Sequence, residues 1–220
     1  MSLHLLVPAA GMGVRLESEL PKALVPVAGR PLLAWALEAL AGIPFEKGVI
    51  VGPPGMNFCQ DIENAIRHRW DVVPGGETRA RSVEIGFAHL APGPRDFVVV
   101  HDAARPFLEA EEVGRVVAAA EETGAAIAVI PVVDTLKRCT DGRVAETIDR
   151  EGVVAAATPQ VFRADLLRRA IEEAPPGTDE AARLEALGVT IAVVEVSRRA
   201  FKVTYPGDLE IAAAIARGRS

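Results

Sequence analysis

The stretch Asp96-Phe97-Val98-Val99-Val100-His101-Asp102-Ala103-Ala104-Arg105-Pro106 decides the architecture of this chain. Four β-prone apolar residues in a row, with no polar alternation, describe a strand covered on both faces, as inside a parallel sheet. The strand breaks into a turn carrying an acid, a base and a proline. Outward from it the rhythm repeats. Residues 3–7, 48–51, 71–73, 125–133 and 190–196 read as further strands. Residues 31–41, 56–67, 82–90, 109–123, 161–174, 180–187 and 206–217 read as helices. In the first helix Leu32, Leu33, Trp35, Ala36 and Leu40 follow helical spacing, and Pro31 suits a first turn. Gly124 stops the helix at 109–123. Strand–helix alternation predicts an α/β fold, a three-layer, doubly wound, mostly parallel sheet. Ligands of such sheets sit at the carboxyl ends of the strands, near a topological switch point. The unusual polar residues cluster at 8–15, 74–82, 101–106 and 131–135, all at strand ends.

The rhythm changes once. Residues 135–139 and 143–148 flank Thr140-Asp141-Gly142, a strong hairpin signal. Lys137, Arg138, Arg143, Glu146, Asp149 and Arg150 make this ribbon polar. A two-stranded polar ribbon cannot stabilise itself. It reads as an arm, at about 133–154, that packs on a second copy of the chain. The remainder reads as a single domain over 1–220, with no repeat and no long linker.

With 220 residues the chain is long enough to bury a core. Its charge is 24 − 30 = −6, which argues against a nucleic-acid or membrane-surface binder. Any cation cluster must be local. Cys59 and Cys139 make neither a disulfide framework nor a zinc spacing. The opening run Met1–Pro8 is too short for a signal peptide, and no stretch approaches the ~20 apolar residues of a spanning helix. The expected location is the cytoplasm.

The chemistry starts at Pro8-Ala9-Ala10-Gly11-Met12-Gly13-Val14-Arg15, followed by Pro21-Lys22. Small residues let the backbone approach a ligand, and successive free N–H groups form an anion-binding nest. Arg15 and Lys22 add a forked and a point cation, a set suited to a polyphosphate. A dinucleotide fingerprint fails because position 16 is Leu16, and no Gly-Lys-Ser/Thr of a Walker loop occurs. Pro74-Gly75-Gly76, with Arg79 and Ser82 after it, either reads a flat base edge or is a plain turn with an N-cap serine. Asp102 suits a divalent metal or a ribose hydroxyl. Arg105 either faces a ligand or braces the loop by pairing with Asp102. His101 reads as a packed strand-end imidazole without a chemical role. Lys202, inside Ala200-Phe201-Lys202-Val203-Thr204-Tyr205, either snorkels or faces an anion. Taken together, Arg15, Lys22, Asp102, Thr135, Arg150 and Lys202 point to phosphoryl or nucleotidyl transfer, where positioning and charge stabilisation do most of the catalysis. A non-catalytic nucleotide sensor and, more distantly, a dinucleotide dehydrogenase are the readings from other classes.

These motifs, with Asp134-Thr135, Thr158-Pro159-Gln160, Thr178-Asp179-Glu180 and Lys202-Val203-Thr204, resemble the 2-C-methyl-D-erythritol 4-phosphate cytidylyltransferases, in order along nearly the whole chain. Val100-His-Asp-Ala-Ala-Arg-Pro106 is the most specific of them. The resemblance implies a Rossmann-like nucleotidyltransferase fold and transfer of CMP from CTP to methylerythritol phosphate, releasing pyrophosphate, with Mg²⁺. It implies Arg15 and Lys22 as catalytic cations. It implies Arg150, Lys202, Thr135 and Arg105 as substrate-positioning residues, with Arg150 serving the neighbouring subunit of a homodimer. Ala9, Ala10, Gly11, Gly13, Gly75, Gly76, Ser82 and Asp102 become nucleotide-binding, and Asp102 the metal ligand. Ala23 departs from the pattern, since many relatives carry Gln there. Relatives acting on ribitol 5-phosphate share much of the set, so another polyol phosphate is the alternative acceptor.

Overall fold

Phe97, Val98, Val99 and Val100 are all buried, as an apolar run without alternation requires. They form one strand of a computed structural model that describes residues 1–54 and 70–219. The expected helix at 56–67 lies outside the described residues. The strands are β1 (Leu3–Pro8), β2 (Pro26–Val27), β3 (Arg30–Pro31), β4 (Lys47–Gly52), β5 (Asp71–Pro74), β6 (Phe97–Val100), β7 (Ala125–Pro131), β8 (Leu136–Thr140), β9 (Arg143–Ile148), β10 (Val154–Arg163) and β11 (Ala192–Glu195). The helices are α1 (Leu32–Glu38), α2 (Arg79–Leu90), α3 (Ala110–Thr123), α4 (Ala164–Glu173), α5 (Glu180–Ala186) and α6 (Pro206–Arg217).

Seven strands form one sheet in the order β11-β7-β10-β6-β1-β4-β5. The pairs β1–β4, β1–β6, β4–β5 and β7–β11 are parallel, and only the two pairs made by β10 are antiparallel. The sheet is therefore mostly parallel, as expected. Side chains alternate between two cores. Leu5, Val7, Phe97 and Val99 pack with Leu33 and Leu37 of α1 and Val113 and Val116 of α3. Leu6, Val98 and Val100 pack on the other face with Val83 and Phe87 of α2, Leu167 of α4 and Leu184 of α5. Burying each large side chain contributes roughly 1.5–3 kcal/mol, which is why all four residues of β6 are apolar.

The expected helix over 161–174 is corrected. Residues up to Arg163 belong to β10, and α4 starts at Ala164. Val161 and Phe162 stand opposite Val99 and Val98 and are fully buried. The strand was illegible because Ala155-Ala156-Ala157 has low β propensity and Pro159 removes a ladder donor. A register shift between Ala156 and Gln160 accommodates the proline in the middle of the sheet.

From β1 the chain crosses to β4 on one side, and it later returns as β6 on the other. The carboxyl ends of β1 and β6 therefore open a crevice at the switch point. A third apolar cluster, including Leu16, Val25, Trp35, Phe107, Val203 and Ala212, closes this end of the molecule. Trp35 Nε1–H donates to the Val27 carbonyl at 2.9 Å, and Phe107 meets Trp35 edge-on at 5.9 Å. This cluster fastens the segments that carry Lys22 and Lys202. The hairpin β8–β9 forms a sheet of its own. Asp141 and Gly142 both have positive φ, 50° and 74°, the pair a tight hairpin turn needs. Its surface is largely exposed, with Val144 at 63 %.

Candidate active site

The first element of the site is the turn after β1. The N–H groups of Ala10, Gly11, Met12 and Gly13 find no acceptor among the described residues, so they are available to an anion. Gly13 has φ 68°, and a Cβ there would meet Lys22 Cβ at 2.9 Å. Only glycine fits both the left-handed backbone and that approach. The Lys22 N–H donates to the Gly11 carbonyl at 3.0 Å, which folds residue 22 back over the turn. The second element is the loop after β6. Val203 N–H donates to the Ala104 carbonyl at 2.9 Å, and this places Lys202 beside Asp102, Nζ to Oδ2 2.7 Å. The third is the start of α2, with Arg79 Nε 3.2 Å from Asp102 Oδ1.

These elements enclose a cavity of about 440 Å³. Ala9, Ala10, Gly11, Gly13, Arg15 and Lys22 line one side; Gly76, Ser82, Asp102 and Lys202 line the other. Ten of the expected site residues thus meet in one place. Gly75 stands directly behind, where a Cβ would meet Ala10 Cβ at 2.7 Å and Ser82 Oγ at 2.8 Å. Ser82 is not the helix N-cap. Thr78 holds that position and accepts from the Arg81 N–H at 3.1 Å, because α2 begins at Arg79 rather than at 82. The Ser82 hydroxyl donates to the Thr78 carbonyl at 3.0 Å and accepts from the Gly76 N–H at 3.2 Å, bracing the Gly turn against the cavity.

Four cations, Arg15, Lys22, Arg79 and Lys202, line a site in a chain of net charge −6. Burial, reinforced by Lys202 and Arg15, pulls the Lys22 ammonium down to about 8. Positive groups that repel one another this strongly favour a polyanion between them. Burial alone would raise the Asp102 carboxyl, but the Arg79 guanidinium and the Lys202 ammonium overcome it and hold the acid well below the usual carboxylate range. Asp102 is an ionised oxygen donor at the cavity edge.

His101 has the structural place the sequence suggests. It is fully buried, and burial pushes its imidazole down to about 4. Its Nε2 lies 3.2 Å from the Arg105 carbonyl, which can only accept, so Nε2 carries the proton. Thr158 Oγ1 then donates to Nδ1 at 3.1 Å and accepts from the Asp102 N–H at 3.0 Å. A neutral imidazole thereby sets the backbone of the metal-competent acid.

Three expected site residues lie elsewhere. Arg105 does not line the cavity. Its Nη1 and Nη2 donate to the carbonyls of Ala200 and Ala156 at 2.8 and 3.2 Å, and Nε stands 3.9 Å from Asp102. The guanidinium ties the loop after β6 to the turn at Ala200 and to β10, which corrects the substrate-positioning expectation in favour of the bracing one. Thr135 is exposed at the base of the arm. Arg150 lines a separate groove with Val133, Asp149 and Glu195, and its Nη1 donates to the Val133 carbonyl. Within one chain neither residue reaches the cavity. Conversely, Arg79 and Thr204, named in the motifs but given no site role, line it.

A family model for IspD, 2-C-methyl-D-erythritol 4-phosphate cytidylyltransferase, matches residues 3–218. The enzyme of that name from Chromobacterium violaceum is 42% identical over 97% of this chain and 97% of its own. The one from Nitrosomonas eutropha is also 42% identical, over 98% and 97%. The crystal structure of the Thermus thermophilus cytidylyltransferase superposes with a TM-score of 0.84 at 36% identity, covering 99% of this chain and 100% of that one. A 4-diphosphocytidyl-2C-methyl-D-erythritol synthase superposes with a TM-score of 0.85 at 32% identity, over 98% and 99%. This chain belongs to the 2-C-methyl-D-erythritol 4-phosphate cytidylyltransferase family.

Proposed function

We propose that this chain transfers the cytidylyl group of CTP to 2-C-methyl-D-erythritol 4-phosphate and releases pyrophosphate. The observation that carries the reading is the convergence of Arg15, Lys22 and Lys202 on one cavity, against the net charge of the chain. An oxygen of the alcohol phosphate attacks the α-phosphorus of CTP. A new P–O bond forms there as the α–β bridging P–O bond breaks, and its electron pair leaves with pyrophosphate. No general base is needed, because a phosphate monoester with second pKa about 6 is already ionised at neutral pH. What the protein supplies is attraction enough to hold two anions together and to stabilise charge on the five-coordinate phosphorus. Arg15 and Lys22 act on that charge; Lys202 faces the acceptor phosphate. The Gly75-Gly76 turn and Ser82 border the pyrimidine.

Among the described residues no group of three or more His, Cys, Asp or Glu side chains could cage a metal. One ionised carboxylate at the cavity edge still suits Mg²⁺, which takes one or two carboxylates and leaves its other positions to phosphate and water. Asp102 would hold the ion beside the triphosphate. When bound, Mg²⁺ neutralises charge on the departing pyrophosphate.

The arm is the basis for a homodimer. A polar two-stranded ribbon needs a surface to lie on, and in a two-fold assembly Arg150 and Thr135 would serve the partner's acceptor phosphate. No described helix is long and apolar enough to cross a membrane, in keeping with a cytoplasmic location.

The test is pyrophosphate release with each of the four nucleoside triphosphates against methylerythritol phosphate and ribitol 5-phosphate. Turnover confined to CTP with methylerythritol phosphate is expected. Preferred turnover of ribitol 5-phosphate overturns the acceptor, and CTP binding without pyrophosphate release overturns the enzyme.

A further inference from the structure

Glu180, the first residue of α5, has no part in the mechanism above, yet it anchors a chain of charges that ends on two residues the mechanism uses. It is 2 % exposed, and both carboxylate oxygens accept from Arg79 Nη1, at 2.9 and 3.0 Å. Arg79 Nε donates onward to Asp102 Oδ1 at 3.2 Å, and Asp102 Oδ2 accepts from Lys202 Nζ at 2.7 Å. Acid, base, acid and base thus run from α5 to the cavity wall. Arg79 and Asp102 line the cavity, whereas Glu180 does not.

A carboxylate this deep costs stability unless it is paired, and such pairs are poor devices for stability alone. Fastening α5 to α2 does not require it, because Arg183 Nη2 already meets Glu84 Oε1 at 2.9 Å between the same two helices. The local structure aims the group. Asp179 caps α5 by accepting from the Ala182 N–H at 2.9 Å. Gln160 of β10 donates to Asp179 Oδ2 at 2.7 Å and accepts from the Ala181 N–H at 3.3 Å. The first turn of α5 is thereby locked to the centre of the sheet. Without Glu180, the long Arg79 side chain would be free to swing onto a triphosphate and release Asp102.

We infer that Glu180 is a positioning residue of the nucleotide site: it fixes the Arg79 guanidinium so that the Asp102 carboxylate keeps its orientation toward CTP. This inference rests on the cytidylyltransferase reading. The test measures CTP affinity by calorimetry on the full chain, KM for both substrates, kcat and Tm. Glu180→Gln, which keeps the shape and removes the charge, is expected to weaken CTP binding about tenfold. KM for methylerythritol phosphate stays near its wild-type value. Arg79→Gln does the same, and the double variant binds CTP no worse than Arg79→Gln alone. Glu84→Gln, which breaks the neighbouring pair, lowers Tm and leaves CTP affinity unchanged. Wild-type CTP affinity in Glu180→Gln overturns the inference, and so does an equal loss in Glu84→Gln. If Glu180→Gln does not fold, the double variant, which leaves neither member of the pair charged, is read against Arg79→Gln, and a further tenfold loss overturns it. A folded wild-type chain that binds no CTP defeats the cytidylyltransferase reading instead.

Discussion

Titration from pH 7 to pH 9 should discharge Lys22 in the free enzyme. Its ammonium is drawn down to about 8 by burial first and then by the Lys202 and Arg15 charges. A midpoint near 8 leaves roughly nine-tenths of the molecules charged at pH 7 and one-tenth at pH 9. If Lys22 stabilises the transition state as a cation, kcat/KM for CTP falls about tenfold over that interval, since this ratio reports the free enzyme. The triphosphate, once bound, favours the ammonium, so the alkaline limb of kcat lies higher than that of kcat/KM. Stability moves the other way. The folded value lies below the unfolded 10.5, so between about 8 and 10.5 the unfolded chain holds more protons and this group's contribution to stability rises with pH. Loss of activity in the window is then not unfolding, and denaturant midpoints at pH 7 and 9 separate the two. Two variants sharpen the case. Lys22→Arg keeps its charge at every accessible pH, so its limb vanishes, at a lower plateau. Lys202→Ala removes one repelling charge and an ion-pair partner of Asp102, and both changes move the limb upward. An unchanged limb near pH 8 in Lys22→Arg would refute the assignment.

Three further outcomes follow from the geometry. Gly13→Ala places a Cβ 2.9 Å from Lys22 Cβ at φ 68°; a loss of about 1–3 kcal/mol of stability and a lower kcat are expected in denaturation and turnover assays, and wild-type kcat would show that the Lys22 position is not set by this contact. His101, held at about 4 against an unfolded 6.5, contributes stability that is complete above pH 6.5 and is lost as the pH falls through 4. The difference amounts to about 3 kcal/mol, and His101→Gln should flatten that part of the pH–stability curve; a curve parallel to the wild type would contradict it. Randomly mixed Arg150→Ala and Lys22→Ala chains should regain about a quarter of the wild-type sites, because half the dimers are mixed and each mixed dimer rebuilds one complete site; no recovery removes the trans role of Arg150.

Much of this molecule was legible without coordinates because its signals are local. The buried run at 97–100, the Asp141-Gly142 turn, and the small residues between Pro8 and Gly13 each act through the chain next to them. A strand covered on both faces favours an unbroken apolar run, and a two-residue hairpin turn with positive φ at both positions favours Gly, Asn and Asp, so the local sequence identifies them. What escaped depends on partners distant in the chain. The strand Val154–Arg163 is alanine-rich and interrupted by proline, and it is a strand only because β6 and β7 stand on either side of it. Arg105 and Arg79 look alike as guanidiniums after strand ends. Tertiary packing alone turns the first onto the carbonyls of Ala200 and Ala156 and the second onto Asp102 and Glu180. The residue types available to the site follow from the sequence. Which charges meet is settled by the fold, because the interaction of two ions depends on separation and burial and not on their distance along the chain.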